Sequence, residues 1–172
     1  MLSETVANVD FVAFYDAERG SLVRFVMFLG ADAGTAEDIA QTTFMRAFEA
    51  WNTSRLNRAW LRKVAQNEYF MHCRAAARET SLDADPRRAD RLAGVSAAAA
   101  LEQQAVTREV LAAVITGLPP KQRQVMAWHW DGFSDVEIAA ELGDSVVAVR
   151  KNRNRAMKNL RQSLAHVGKE GK

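Results

Sequence analysis

The stretch from Phe133 to Leu164 constrains the fold most, because it encodes two helices joined by a tight glycine turn. Ser134, followed three residues later by Glu137, forms a capping box in which each side chain accepts a hydrogen bond from the other residue's backbone N–H. A helix is therefore predicted to begin directly after the serine. Gly143 supplies the left-handed conformation that ends this helix, and Ser145 is an N-cap for the next one.

The second of these helices, from about Val146, has two chemically different faces. At about 100° per residue, one face is an apolar stripe of Val149, Ala156, Leu160 and Leu164. The opposite face is basic and polar and carries Lys151, Asn154, Arg155, Lys158 and Arg161. This pattern is typical of a helix-turn-helix, whose second helix enters the major groove of DNA. A solvated basic helix at the end of a bundle is the alternative interpretation.

Composition excludes several classes of protein. At 48% hydrophobic residues the chain has enough apolar material for a core, yet it has no run long enough to cross a bilayer and no start typical of a signal peptide. We therefore expect a cytoplasmic protein without membrane insertion. The single cysteine, Cys73, excludes an internal disulfide and fits a reducing compartment. It adjoins His72, but His129 and His166 show no ligand spacing, so we expect no metal site.

Charge is nearly balanced overall but unevenly distributed. The first 49 residues contain eight acidic and three basic side chains, whereas the residues from Ala148 onward contain eight basic side chains and only Glu170 as an acid. This asymmetry indicates two surfaces with different partners, one of which is a polyanion.

The amino-terminal half has the period of helices. Apolar residues recur at three and four positions from Val9 to Leu29, and Gly20 marks either a break between two helices or a close contact between them. Thr35, with Asp38 three residues later, is predicted to cap the next helix. The residues of that helix expected to face inward are Ile39, Ala40, Phe44, Ala47 and Phe48.

A polar loop and an aromatic helix follow. The segment from Trp51 to Arg58 has no helical period, and a helix from about Ala59 to Arg78 interleaves aromatic side chains with arginine and lysine. Such aromatic rings can stack on unpaired bases while the cations hold phosphates. Alternatively, Trp60 and Phe70 are ordinary core residues.

The chain is predicted to be all-α, with two small helical domains joined by a flexible linker. The domain boundaries are 1–80 for the first domain, 81–100 for the linker, 101–165 for the second domain and 166–172 for a tail. In the second domain, one helix covers about Glu102 to Ile115, and Pro119 and Pro120 suit the first turn of another that ends near Asp131.

Two blocks of the chain resemble the two conserved domains of bacterial extracytoplasmic-function (ECF) sigma factors of the sigma-70 family. The first block comprises AEDIAQTTFMRAFEAW, from Ala36 to Trp51, and RAWLRKVAQN, from Arg58 to Asn67. The second runs from Leu118 to Leu160 and begins LPPKQRQVMAWHW. The two blocks occur in the family's order, with a linker of suitable length between them.

The resemblance implies a protein that binds RNA polymerase core, directs promoter recognition and takes part in minus-10 strand separation. Residues on the third predicted helix would face the clamp helices of the largest polymerase subunit: Glu37, Asp38 and Gln41. Residues of the loop and the aromatic helix would bind the minus-10 strand: Asn52, Ser54, Arg55, Asn57, Arg58, Trp60, Arg62, Lys63 and Asn67. Residues at the carboxyl-terminal helix would bind minus-35 DNA: Ser145, Arg150, Lys151, Asn152, Asn154, Arg155 and Lys158.

The further partners implied by the resemblance are the flap of the second-largest polymerase subunit and an anti-sigma factor. The chain departs from the family at the entry to its last helix, where Lys151 and Asn152 replace the usual serine and arginine. Arg153 stands where an apolar residue is common and falls inside the apolar stripe, so it must extend past the core, pair with an acid or reach DNA.

Three functional hypotheses follow, with the promoter-recognition subunit first. The second is a helix-turn-helix transcription regulator whose amino-terminal bundle senses a signal or dimerises, and the third is an adaptor that does not bind DNA. The block from Ala36 to Asn67 separates the first two, because an independent regulator needs no surface for polymerase or single strands. The sequence lacks a glycine-rich phosphate loop, a paired-carboxylate site and a nucleophile with a base, so we expect no catalysis and no cofactor.

Overall fold

A computed structural model describes the backbone of residues 2–51, 56–82 and 114–170. Every regular element in these ranges is a helix, which confirms the predicted all-α class. The helices are α1 (Leu2–Leu29), α2 (Ala33–Ala50), α3 (Arg58–Leu82), α4 (Pro120–Trp130), α5 (Asp135–Leu142) and α6 (Val146–Glu170), and residues 114–116 form a further helical turn. Most of the helix predicted from Glu102 to Ile115 and most of the predicted linker lie outside the described residues, and the last two residues of that helix fall in the helical turn 114–116.

The first three helices form one bundle in which each packs against the other two. Helix α1 continues through Gly20, so the predicted break there is wrong. A glycine inside a helix costs only about 1 kcal/mol relative to alanine, and the burial of Leu22, Phe25 and Val26 directly after it outweighs that cost. Nor is Gly20 a close contact, since a Cβ there would meet only the Arg24 guanidinium, at 3.6 Å.

Helix α2 begins at Ala33, two residues before Thr35, which was predicted to be its N-cap. Asp32 is the N-cap, and its carboxylate accepts hydrogen bonds from the backbone N–H of Thr35 at 3.0 Å and from the Thr35 hydroxyl at 2.6 Å. Thr35 is therefore a donor to the cap, and the predicted capping box with Asp38 is wrong. Burial raises the pKa of Asp32, but the hydrogen bonds from Thr35 and neighbouring backbone outweigh it, so the pKa lies below its ordinary value.

The inward face of α2 is narrower than predicted. Ile39, Ala40, Phe44 and Ala47 are buried, but Phe48 is 53% exposed. Phe48 lies at the edge of the stripe, where its ring contacts Phe11 edge-on with centroids 5.0 Å apart. The expectation that Phe48 faces inward is thus wrong.

The second bundle contains the predicted helix-turn-helix. Pro119 is the N-cap of α4, Ser134 and Glu137 form both hydrogen bonds of the capping box, and Gly143 ends α5 in the left-handed conformation with φ 65°. The Ser145 hydroxyl accepts from the backbone N–H of Ala148 at 3.1 Å at the start of α6. These local predictions are confirmed.

The two bundles pack against each other through α1, α3 and α4. The indole ring of Trp128 is fully buried and meets Phe25 edge-on at a centroid distance of 5.5 Å. Its Nε1 donates a 2.8 Å hydrogen bond to the side-chain oxygen of Gln66 on α3. Gly30, with φ 115°, lets the Arg123 guanidinium approach, because a Cβ there would lie 2.8 Å from Nη1. One continuous apolar core therefore runs through both bundles.

Candidate nucleic-acid interface

The exposed face of α6 is basic and polar. Five polar side chains and Val147 line an open depression of about 490 Å³ on this face. The polar residues are Arg150, Lys151, Asn154, Arg155 and Lys158. The opposite face buries Val149, Ala156 and Leu160 against the bundle. Guanidinium and ammonium groups suit phosphates and guanine edges, and the amide of an asparagine suits adenine. The face therefore has the chemistry for reading duplex DNA.

The apolar stripe of α6 is shorter than predicted. Leu164 is 48% exposed, so its assignment to the buried face is wrong. In the described part of the chain, the last residue of this stripe that the bundle covers is Leu160, which packs with Leu118 and Met126.

Arg153, which falls inside the apolar stripe, pairs with an acid. Its Nη2 lies 3.1 Å from Oδ2 of Asp135, the first residue of α5, and its side chain is 28% exposed. The same carboxylate oxygen lies 3.4 Å from Nε of Arg150, whose side chain is far more exposed. Asp135 thus links the two helices of the motif and orients Arg150. No local pattern in the sequence assigned this role to Asp135.

Two of the predicted minus-35 residues use their side chains on the backbone of α6 itself. The Ser145 hydroxyl caps the helix, and the Asn152 amide donates to the carbonyl oxygen of Ala148 at 3.0 Å. Both residues lie near the amino-terminal end of α6, whereas the exposed basic side chains extend further along it.

The predicted minus-10 residues lie in different surroundings. Asn52, Ser54 and Arg55 lie outside the described residues. The side-chain oxygen of Asn57 accepts from the backbone N–H of Trp60 at 2.8 Å and so caps α3. Trp60 is half-buried against the core, and Asn67 is exposed on α3.

The remaining three members of this set, Arg58, Arg62 and Lys63, contact the second bundle. Arg62 is 0% exposed, with Nε 2.8 Å and Nη2 3.1 Å from the two carboxylate oxygens of Asp131. Arg58 Nη2 lies 3.1 Å from Asp131 Oδ1, and Lys63 Nζ donates to the carbonyl oxygen of Glu141. Sequence reasoning missed Asp131, because 69 positions separate it from Arg62.

The residues predicted to face polymerase lie on the outer side of α2. Asp38 and Gln41 are exposed, and the Glu37 carboxylate pairs with Arg19 of α1 at 3.1 Å. Beside them, Met45 and Phe48 expose 67% and 53% of their surface. Exposed apolar side chains next to polar ones are typical of a protein–protein contact. The sequence signal that could have identified this pair is its offset from the buried stripe of α2.

Metal and membrane features are absent from the described ranges. Within residues 2–51, 56–82 and 114–170, no three histidine, cysteine, aspartate or glutamate side chains are grouped to hold a metal ion. Over the same ranges, no helix combines the length and apolar character needed to span a bilayer.

Both bundles match known sequence families. Residues 14–79 match the family described as Sigma-70 region 2, and residues 108–160 match the family described as Sigma-70, region 4. The RNA polymerase sigma-E factor of Streptomyces avermitilis is 31% identical over 160 residues, which cover 91% of this chain and 86% of the relative. The ECF RNA polymerase sigma factor SigL of Mycobacterium tuberculosis is 28% identical over 169 residues, which cover 91% and 89%.

Two solved structures share the fold. The sigma factor RpoE from Bartonella quintana, crystallised with the anti-sigma factor NepR, gives a TM-score of 0.71 at 21% identity, covering 91% of this chain and 97% of that one. CnrH in complex with the cytosolic domain of CnrY gives 0.63 at 24% identity, covering 91% and 88%. Both similarities extend over the two bundles and concern the fold alone.

Proposed function

This chain belongs to the extracytoplasmic-function sigma factors of the sigma-70 family, and from this premise we propose how its two domains divide promoter recognition. Sigma factors direct RNA polymerase to promoters and are not themselves enzymes. The chain accordingly binds the polymerase core and directs the start of transcription, as the first of the three hypotheses predicted. We further propose that the chain acts in the cytoplasm and that its domains comprise residues 1–80 and 101–165, with a linker at 81–100 and a tail at 166–172.

The second domain reads the minus-35 duplex through α6. The observation that carries this assignment is the exposed basic face, which projects from a helix-turn-helix whose caps and buried stripe fix its orientation. Arg150, Lys151, Asn154, Arg155 and Lys158 make the base and phosphate contacts. Ser145 and Asn152 instead support the backbone of α6, since their side chains already bond to it.

The first domain holds the separated minus-10 strand. Asn67 is exposed on α3 and offers an amide that can read the Watson–Crick edge of an unstacked base. Trp60, seven residues earlier on the same helix, provides an aromatic ring, and the segment from Asn52 to Arg58 supplies polar contacts. Arg62 and Lys63 join this surface when they are not engaged with the second domain.

Helix α2 binds the clamp helices of the largest polymerase subunit. Asp38 and Gln41 provide polar contacts, and the exposed Met45 and Phe48 extend the surface with apolar area. The flap of the second-largest subunit binds the second domain. An anti-sigma factor is a further partner, as the complexes formed by the two structural relatives suggest.

Transcription with purified components tests the proposal. The chain mixed with core polymerase is expected to initiate from a subset of promoters, and transcripts that depend on it in cells identify those promoters. The Asn67→Ala variant is expected to reduce permanganate reactivity of minus-10 thymines while binding of a minus-35 duplex is retained, because the amide acts only on the opened strand.

Two results would contradict the proposal. If the chain shifts duplex operator DNA by itself and never associates with core polymerase, it is an independent transcription regulator. If Asn67→Ala weakens duplex binding as much as strand opening, the proposed division between the two domains is wrong.

A further inference from the structure

We propose that Asp135 is a positioning residue for promoter reading, because it orients Arg150 so that this side chain recognises one guanine of the minus-35 element. Asp135 is the first residue of α5 and does not line the basic depression of α6. Its role rests on the proposed minus-35 function of α6 and adds to it the origin of selectivity at one base pair. Asp135 determines which base is preferred there, and it does not itself contact DNA.

The start of α5 holds the Asp135 carboxylate in place. The side chains of Ser134 and Glu137 form both hydrogen bonds of the capping box, which fixes the first turn of the helix. The helix dipole favours a negative charge in that turn. The Asp135 side chain is only 14% exposed, and its Oδ1 is buried without a hydrogen-bond partner in the described part of the chain. The cations of α6 therefore meet this carboxylate at Oδ2.

Two arginines of α6 share that oxygen and differ in exposure. Nη2 of Arg153 lies 3.1 Å away, and this side chain is 28% exposed. Nε of Arg150 lies 3.4 Å away, and this side chain is 60% exposed and lines the basic depression. Asp135 thus restrains an exposed arginine from a partly buried position. Because Arg153 stands where the family commonly has an apolar residue, the shared carboxylate sets this chain apart from such relatives.

The contact at Nε decides which edge of the Arg150 guanidinium remains for DNA. A guanidinium offers five N–H donors in a fixed planar arrangement. Asp135 engages Nε, which leaves the terminal nitrogens Nη1 and Nη2 to donate side by side. Two parallel donors match O6 and N7 of guanine in the major groove, and no other base presents two adjacent acceptors there. Arg150 is thereby prepared for guanine.

Without Asp135, Arg150 would lose this selectivity. An unrestrained arginine can turn to the phosphates on either side of the groove, and phosphate contacts carry no direct sequence information. The Asp135 carboxylate also places a negative charge near the DNA, which opposes binding to phosphates in general. Asp135 therefore raises selectivity while it lowers nonspecific affinity.

Selection from a promoter library tests this role. Holoenzyme assembled from the full chain and core polymerase is incubated with duplex promoters whose minus-35 element is randomised, and the bound DNA is sequenced. We expect one position at which guanine is preferred and at which Arg150→Ala removes the preference. Asp135→Asn is expected to lower the preference at that position by about fivefold or more, since a good bidentate pair discriminates by about 5- to 150-fold. Preferences at the other positions should remain.

Asp144→Asn is the matched control. It removes the same charge from the turn between α5 and α6, but the partner of Asp144 is Lys121 of α4, 2.6 Å away. We expect this variant to keep the guanine preference of the unaltered chain. The double variant of Asp135→Asn and Arg150→Ala is expected to behave as Arg150→Ala alone, because Asp135 acts only through that arginine.

A measurement without DNA reports the restraint directly. In the full chain labelled with ¹⁵N-arginine, the order parameter of the Arg150 Nε–H bond is expected to fall in Asp135→Asn and to stay unchanged in Asp144→Asn. The signal that disappears in Arg150→Ala identifies this bond. Circular dichroism verifies that the helices persist in each variant.

Each result decides the proposal. An unchanged guanine preference or order parameter in Asp135→Asn, or a uniform loss of preference at all positions, would overturn the positioning role. A further loss when Asp135→Asn is added to Arg150→Ala would show that the carboxylate acts on DNA itself or on the fold, which contradicts the proposal as well. Failure of the proposed function looks different, because holoenzyme of the unaltered chain then enriches no minus-35 sequence, and the role of Asp135 falls with it.

Discussion

At the scale of single residues, two arginines show that a local sequence pattern does not identify the partner of a charged side chain. Arg62 and Arg153 both stand among apolar neighbours on their helices, and each pairs with an acid from elsewhere in the chain, Asp131 and Asp135. Neither acid is adjacent to its arginine in sequence. A residue that appears available for DNA is thus held by protein instead, and its exposure distinguishes the two cases.

This distinction predicts different effects for two arginines that are two positions apart on α6. Arg153→Met is expected to lower the free energy of unfolding by up to about 1 kcal/mol through loss of the Asp135 pair, with little change in minus-35 duplex affinity. Arg155→Ala is expected to leave stability nearly unchanged but to weaken duplex binding by about 1–3 kcal/mol. Urea unfolding and duplex titration measure the two quantities. A larger affinity loss for Arg153→Met than for Arg155→Ala would mean that Arg153 contacts DNA.

At the scale of helices, the capping residues explain where α5 and α2 begin and why the stability of the fold depends on pH. The hydroxyl and the backbone N–H of Ser134 bond to Glu137, and these hydrogen bonds hold the pKa of that carboxyl below its ordinary value of 4.5. A lowered pKa in the folded state means that this contribution to stability is present above pH 4.5 and is lost as pH falls through the lower, folded value.

Ser134→Ala is therefore expected to reduce the free energy of unfolding by about 1 kcal/mol at neutral pH. The variant should also lose less stability than the unaltered chain on acidification below pH 4.5, because its Glu137 pKa returns towards the unfolded value. Urea unfolding at neutral and acidic pH measures both effects. Asp32 contributes equally to the acid response of both proteins, so an unchanged difference between them at all pH values would contradict the role of the box.

At the scale of the whole molecule, the two domains share one core. Trp128 is central to it, because its ring packs on Phe25 and its Nε1 satisfies the buried oxygen of Gln66. In this arrangement the basic face of α6 and the outer side of α2 are exposed to solvent, while part of α3 is covered by the second domain.

Trp128→Phe is expected to destabilise the chain by about 1–3 kcal/mol beyond the effect of smaller ring volume, since the Gln66 oxygen loses its donor. Adding Gln66→Leu should recover part of that loss, because both polar partners are then replaced by apolar groups. Urea unfolding of the two single variants and the double variant forms the thermodynamic cycle. Strictly additive effects would show that the hydrogen bond does not couple the domains.

The sequence by itself determined the helices, the helix-turn-helix and the two-domain order. The capping box of Ser134 and Glu137, the turn at Gly143 and the apolar period of α6 act over a few residues, so they are readable without a structure. Even locally, the sequence predicted the wrong cap for α2: the hydroxyl and the backbone N–H of Thr35 donate to the carboxylate of Asp32, which is the N-cap. Only the tertiary structure decided that Arg62 is buried with Asp131, because that pairing joins residues 69 positions apart, and its geometry depends on how the completed domains pack.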